Sequence, residues 1–277
     1  MSSVPKLVLN NGVAIDQLGL GVFQIPPAET KAAVLAALEV GYRHFDTAQM
    51  YGNERGVGEA IAESGIARDE IFVTSKLNNN SHEPDVAKAA TARSVEALGG
   101  PMDLYLIHWP MPAVGDFVDT WRLMEGFAAE GLTRTIGVSN FQIPHLQRVL
   151  DETATVPAVN QIEVHPYFQQ DALRAFGREH GIVTQAWSPI AQGKVLGDAV
   201  LGAIAADTGR TVAQVVLRWH LERGDVIFPK STRPKRMAEN FDIFDFALTD
   251  DQTARITALD AGLRGGPNPD EFNWIPD

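Results

Sequence analysis

The chain has 277 residues, no cysteine and a formal net charge of −12. Disulfides, thiolate metal sites and a cysteine nucleophile are excluded, and the acidic balance argues against non-specific binding to nucleic acid or anionic membranes. The length suits one (β/α)8 barrel or two ordinary domains, and 45% of residues are apolar, enough for a large core.

The N-terminal stretch MSSVPKLVLNNG has no basic segment followed by a long apolar one, so it does not read as a secretory signal. No stretch approaches the roughly 18 apolar residues that span a bilayer. A soluble, cytoplasmic protein is expected. Lys6–Leu9 and Val13–Ile15 flank Asn10-Asn11-Gly12, and Asn-Gly is a strong hairpin signal. This hairpin is expected to cap the bottom of a barrel. A first strand is expected near Leu18–Val22. Seven further short apolar runs follow: Arg43–Asp46, Ile71–Ser75, Asp103–His108, Thr135–Val138, Ala158–Gln161, Ile182–Trp187 and Val226–Phe228. All read as buried parallel strands.

Helical patterns lie between them. They cover Glu29–Val40, Gly52–Glu63, Pro84–Leu98, Asp116–Glu130, Pro144–Leu150, Gln170–His180, Thr211–Leu221 and Arg233–Phe244. Gly41, Gly99 and Gly131 stop three of them. Eight alternating units imply right-handed βα crossovers. They close most economically as a single (β/α)8 TIM barrel over 1–277, with an N-terminal β-hairpin cap and two extra C-terminal helices. The rival doubly wound sheet needs G-x-G-x-x-G entering a helix. Gly19-Leu20-Gly21 lacks the third glycine, and Gly56 and Gly58 lie inside a helical pattern.

In a TIM barrel the active site lies at the C-terminal strand ends. Asp46, Lys76, His108, Ser139, Asn140, Gln161, Trp187, Ser188, Lys230 and Ser231 all fall at or just beyond such ends. Tyr51 follows Asp46 by five residues, close enough to fold back over the mouth. A tyrosine keeps its proton at neutral pH, and a nearby ammonium lowers the cost of losing it. Lys76 is the candidate ammonium, expected to pull the Tyr51 pKa down, with Asp46 holding Lys76 charged. His108 offers an N–H to a substrate oxygen, so the set fits general acid catalysis of carbonyl reduction. Lys230, Arg233, Lys235 and Arg236 put four cations within seven positions at the start of a helix. That is a natural anion site, and a 2′-phosphate would favour NADP over NAD.

Several stretches carry a more specific signal. They are GYRHFDTAQMYGNE (41–54), MDLYLIHWP (102–110), GVSNF (137–141), PAVNQIE (157–163) and IFPKS (227–231) continuing to Arg236 and Asn240. Together they resemble the aldo-keto reductase superfamily over essentially the whole chain. Among its subgroups the sequence is most similar to bacterial 2,5-diketo-D-gluconate reductases and related prostaglandin-type reductases.

The resemblance implies an NADPH/NADP+-dependent (β/α)8 reductase whose catalytic tetrad is Asp46, Tyr51, Lys76 and His108. It implies carboxamide ligands at Ser139, Asn140 and Gln161, and a nicotinamide-stacking ring at Trp187. The phosphate ligands fall on Lys230, Ser231, Thr232 and Arg236, with Glu239 and Asn240 near the adenine. Gly21, Val22 and Ser188 are further candidates for cofactor contact. Phe23, Asn78, His108, Trp109 and Trp274 are candidate substrate contacts. The subgroup carries an aromatic residue just after Lys-Leu, but here Lys76-Leu77 is followed by Asn78-Asn79-Asn80. A wider or more polar pocket is expected on that side.

Three other readings compete. A Schiff-base aldolase would use Lys76, but Asp46 favours the charged lysine. A non-enzymatic nucleotide binder would need a damaged tetrad. A metal-dependent hydrolase would need ligand spacing that the seven histidines lack, so no metal is expected. The expected partner is a small carbonyl compound bound by a monomer.

Overall fold

The computed structural model describes residues 4–276. Short runs rich in Val, Ile, Leu and Phe form strands because both faces are covered, one by helices and the other by the barrel interior. Strands β1 (Lys6–Val8) and β2 (Ala14–Asp16) make an antiparallel hairpin. The remaining strands are β3 (Leu20–Gly21), β4 (His44–Asp46), β5 (Phe72–Leu77), β6 (Leu104–Ile107), β7 (Ile136–Ser139), β8 (Val159–Glu163), β9 (Val183–Trp187) and β10 (Val226–Ile227). They pair in chain order, all parallel. The ring closes between its ends: Leu18 bridges Ile227, Gly19 N–H donates to Ile227 O at 2.9 Å, and Ile227 N–H donates to Gln17 O at 2.9 Å. The expected barrel is therefore present.

The helices are α1 (Pro27–Val40), α2 (Glu54–Glu63), α3 (Pro84–Leu98), α4 (Phe117–Ala129), α5 (Ile143–Glu152), α6 (Asp171–Glu179), α7 (Ala199–Thr208), α8 (Val212–Glu222), α9 (Pro234–Phe241) and α10 (Asp250–Thr257). Local chemistry sets their ends. Proline occupies the first turn of α1 and α3, where a missing N–H costs nothing. Asp116 accepts from Val118 N–H ahead of α4, and Thr211 and Thr249 form capping boxes on α8 and α10. Two helices lie outside the eightfold alternation, α7 inserted before α8 and α10 after α9. No single helix among the described residues is long and apolar enough to cross a membrane.

Two elements differ from the sequence expectation. Helix α2 starts at Glu54 rather than Gly52, because Gln49–Tyr51 form a separate 3-10 turn that ends at a left-handed Gly52. Helix α7 is not anticipated by the sequence pattern, because AVLGAIAADT is small and apolar nearly all round, with no polar stripe. The hairpin turn falls on Asn10-Asn11-Gly12 as expected: Leu9 N–H donates to Val13 O at 2.8 Å, and Gly12 takes a φ of 85°.

The hairpin sits where expected. Leu9 and Ile15 pack on Phe72, Leu104, Ala158, Val159 and Val226, near the N-terminal starts of strands. Asn10 Nδ2 donates to Pro157 O at 3.1 Å, and Asn11 Nδ2 donates to Thr135 Oγ1 at 3.0 Å, just ahead of β8 and β7. The bottom is thus sealed, and polar strand ends gather at the other rim.

Candidate active site

Lys76 lies inside β5 rather than after it, and its side chain is fully buried. Its Nζ donates to Asp46 Oδ1 at 2.6 Å and to Thr47 O at 2.8 Å. The β4–β5 pairing, which sets Asp46 opposite Thr74, brings these side chains together across adjacent strands. Asp46 Oδ2 accepts from Gln161 Nε2 at 2.7 Å, and the same nitrogen donates to Gln185 Oε1 at 2.9 Å. Asp46 is thus satisfied from both sides, as a buried carboxylate must be.

The 3-10 turn carries Tyr51 back over the mouth. Lys76 Nζ stands 5.1 Å from the centroid of the Tyr51 ring. His108, just beyond β6, is edge-on to Tyr51 with centroids 5.8 Å apart, and Phe23 packs on the other side at 5.0 Å. All four expected catalytic residues meet at one rim.

Their ionisation follows from the surroundings. Burial alone would depress the Lys76 pKa, but Asp46 and then Tyr51 outweigh it and push it up, so the ammonium persists. Burial pulls the His108 imidazole well below its usual value, and the charges of Lys76 and His82 add to this. The ring is therefore neutral near pH 7. The Tyr51 phenol departs from expectation. Burial pushes its pKa up, and Asp46 adds to the rise, while Lys76 only partly offsets them. The lysine lowers the cost of a phenolate without bringing the resting pKa below the ordinary tyrosine value.

The residues expected at the cofactor surround this core. Gly21 ends β3, and Val22 N–H donates to Asp46 O at 3.0 Å. Ser139 Oγ donates to Gln161 O at 2.9 Å. Asn140, with a φ of 63°, donates from Nδ2 to His108 O at 3.0 Å. Its Oδ1 accepts from the Trp187 indole N–H at 2.9 Å. Trp187 is half-buried at the end of β9, followed by Ser188 at a φ of 51°. The Gln161 amide nitrogen also ties this group to Asp46.

The basic segment lies beyond β10. Lys230, Thr232, Arg233, Lys235 and Arg236 are exposed, Ser231 is buried, and Ser231 Oγ accepts from Arg233 N–H at 3.0 Å at the start of α9. Among the described residues, none of Lys230, Arg233, Lys235 and Arg236 pairs with a carboxylate. On so acidic a chain that is an open cationic site. Glu239 accepts from Thr211 Oγ1 at 2.9 Å, and Asn240 is buried.

The residues expected at the substrate lie on the loop after β3, around β6, on the loop after β5 and in the C-terminal tail. Trp109 is buried beneath Phe272, with centroids 4.3 Å apart, whereas Phe23 and Trp274 are exposed. Asn79 Nδ2 donates to Trp274 O at 2.9 Å. Half-buried Asn78 turns its Oδ1 to Asn79 N–H at 2.8 Å, and Gln49 Oε1 accepts the Asn78 N–H at 2.9 Å. No ring stands at position 78.

Sequence reasoning passed over Glu163, a buried carboxylate at the end of β8 in register with Trp187. Its strand-end position was the available signal, hidden by ending that strand at Gln161. It also missed a cavity of about 310 Å3 beside Ser188, lined in part by Lys194 and Arg264. A groove of about 460 Å3 between the starts of α5 and α6 contains no tetrad residue. Among the described residues no three His, Asp or Glu side chains converge as a metal site.

The model of the Aldo/keto reductase family matches residues 16–261. The chain belongs to this family. It is 48% identical to an aldo-keto reductase of Mycolicibacterium smegmatis, over 98% of each chain. It is 46% identical to the methylglyoxal reductase DkgA of Escherichia coli K12, covering 98% of this chain and 99% of the relative. Among solved structures, a point mutant of Gox0644 in complex with NADPH superposes with a TM-score of 0.94 at 44% identity, over 99% of this chain and 100% of that one. An aldo/keto reductase from Brucella melitensis gives 0.91 at 49% identity, over 94% and 99%.

Proposed function

We propose that this aldo-keto reductase uses NADPH to reduce small aldehydes and ketones to alcohols, with Tyr51 as the general acid. The observation that carries the reading is Lys76, a fully buried ammonium fixed to Asp46 at 2.6 Å and set against the Tyr51 ring. The residues present fit the cofactor. Four unpaired cations at the start of α9 suit a 2′-phosphate, and half-buried Trp187 at the rim offers an aromatic face. Lys230, Ser231, Thr232 and Arg236 would hold the phosphate, with Glu239 and Asn240 near the adenine. Ser139, Asn140 and Gln161 would hold the carboxamide, and Gly21, Val22 and Ser188 would line the approach. When bound, NADPH supplies the hydride.

The protein's part is to place the carbonyl and protonate its oxygen. Neutral His108 donates an N–H to that oxygen and polarises it. Tyr51 then transfers its proton as negative charge develops there. The buried ammonium of Lys76 offsets the charge left on the phenol, and Asp46 keeps the lysine charged and oriented. Phe23, Trp109 and Trp274 supply apolar walls, while Asn78 leaves one side open and polar. Small dicarbonyls, keto acids and keto sugars suit such a pocket, and methylglyoxal is the first to test given the named activity of the DkgA relatives.

The test is Tyr51→Phe assayed by loss of NADPH absorbance. Turnover should fall by about a hundredfold or more, the usual worth of a positioned acid, with NADPH binding nearly intact. Unchanged turnover would refute the mechanism.

A further inference from the structure

The C-terminal tail, from Ala258 to Pro276, has no regular secondary structure. Its course depends on a few pins. One is unusual: Glu163 is a carboxylate only 2% exposed that pairs with no lysine or arginine. It accepts instead from the backbone N–H groups of Gly265, at 2.8 Å to Oε1, and Gly266, at 3.0 Å to Oε2. His165 Nε2 lies 3.0 Å from the same Oε1. Burial would raise the Glu163 pKa, but the His165 contact and the two amides hold it below the ordinary value. The group is an anion built to grip passing backbone.

What it grips lies on Trp187. Glu163 and Trp187 are register partners on β8 and β9, so their side chains leave the sheet on the same side. A Cβ placed on Gly266 would stand 2.5 Å from Trp187 Cη2 and 3.4 Å from Glu163 Oε2. Only glycine permits so close an approach. The indole is thus held at both ends. Its N–H is fixed by Asn140 Oδ1, and its six-membered ring abuts the Gly266 backbone that Glu163 draws inward.

We propose that Glu163 is a positioning residue for the nicotinamide half of the cofactor, acting through Gly265 and Gly266 on the plane of Trp187. This rests on the reading of Trp187 as the nicotinamide platform. In the proposed reading the adenosine half sits at α9 rather than on Trp187, so the two halves of the ligand separate a local effect from a global one.

The test compares binding of NADPH and of adenosine 2′,5′-bisphosphate to the full chain by calorimetry. Glu163→Ala removes the pin at Gly265 and Gly266, and Gly266→Ala pushes on the indole while leaving the carboxylate in place. In both variants NADPH should bind about tenfold more weakly, as expected for about 1.4 kcal/mol of lost interaction, while the bisphosphate binds as in the parent. Glu163→Gln, which keeps one acceptor oxygen, should fall between. If Glu163→Ala fails to fold, Glu163→Gln carries the test, since it alters the carboxylate itself with little change in volume. An unchanged ratio of the two affinities, or an equal loss of both, would overturn the proposal. No turnover is needed, so failure of the Tyr51 mechanism would leave this result standing.

Discussion

At the residue scale, what matters is which side chains are kept charged and which are kept neutral. Asp46 keeps Lys76 charged, and burial keeps His108 neutral. His44 extends the pattern into the barrel interior. It is fully buried, with Nδ1 3.1 Å from Asp16 O and Nε2 3.1 Å from Thr74 Oγ1. Burial pulls its pKa down to about 3, and Lys76 adds to the drop while the Asp16 carbonyl opposes it. The folded state therefore refuses a proton that the unfolded chain takes up near pH 6.5. The stability linked to this group is complete above that pH and is lost as pH falls toward 3. At pH 5 His44 alone should cost about 2 kcal/mol. Urea unfolding at pH 7 and pH 5 would measure the loss, and His44→Gln, if folded, should flatten the slope. A slope unaltered by that substitution would show that protons enter elsewhere.

At the element scale, α9 concentrates positive charge that the rest of the chain does not neutralise. Arg236→Ala should weaken NADPH about tenfold or more, as for a lost charged hydrogen bond, and leave NADH almost unaffected. Equal losses for both cofactors, measured by titration, would remove the 2′-phosphate from this helix. Most elements were legible in the sequence for local reasons. Proline starts α3, glycine follows α1 and α3, and strands buried on both faces show as unbroken apolar runs. Elements that depend on distant partners were not. Helix α7 has no polar stripe to mark it, and the 3-10 turn that lifts Tyr51 over the rim contains no residue demanding it. Asp46, Lys76 and His108 could be grouped from the sequence because they fall at or near strand ends that the barrel must bring together. Glu163 offered only its strand-end position, and its partners are backbone amides about a hundred residues away.

At the scale of the whole molecule, the ring is closed by very little hydrogen bonding. Strands β3 and β10 have two residues each, and the Gly19 and Ile227 amides carry the seam. In hydrogen exchange, these amides should open before those inside β5 and β8, which are bonded to neighbours on both sides. Mass spectrometry of peptides covering Gln17–Gly21 and Asp225–Phe228 would check this, and equal protection around the ring would contradict it. The seam also imposes an order on assembly. As the chain leaves the ribosome, the strands bearing Asp46, Lys76, His108 and Gln161 emerge well before β10. A long stretch of chain must accumulate before its first and last strands can meet, and such late contacts are slow to form. Because β10 runs directly into Lys230 and Ser231, the event that shuts the barrel also delivers its cationic helix. A nascent chain can thus carry Tyr51 and Lys76 while the cations of α9 are still to come. A ligand that binds only the finished ring would act as a clasp on the seam.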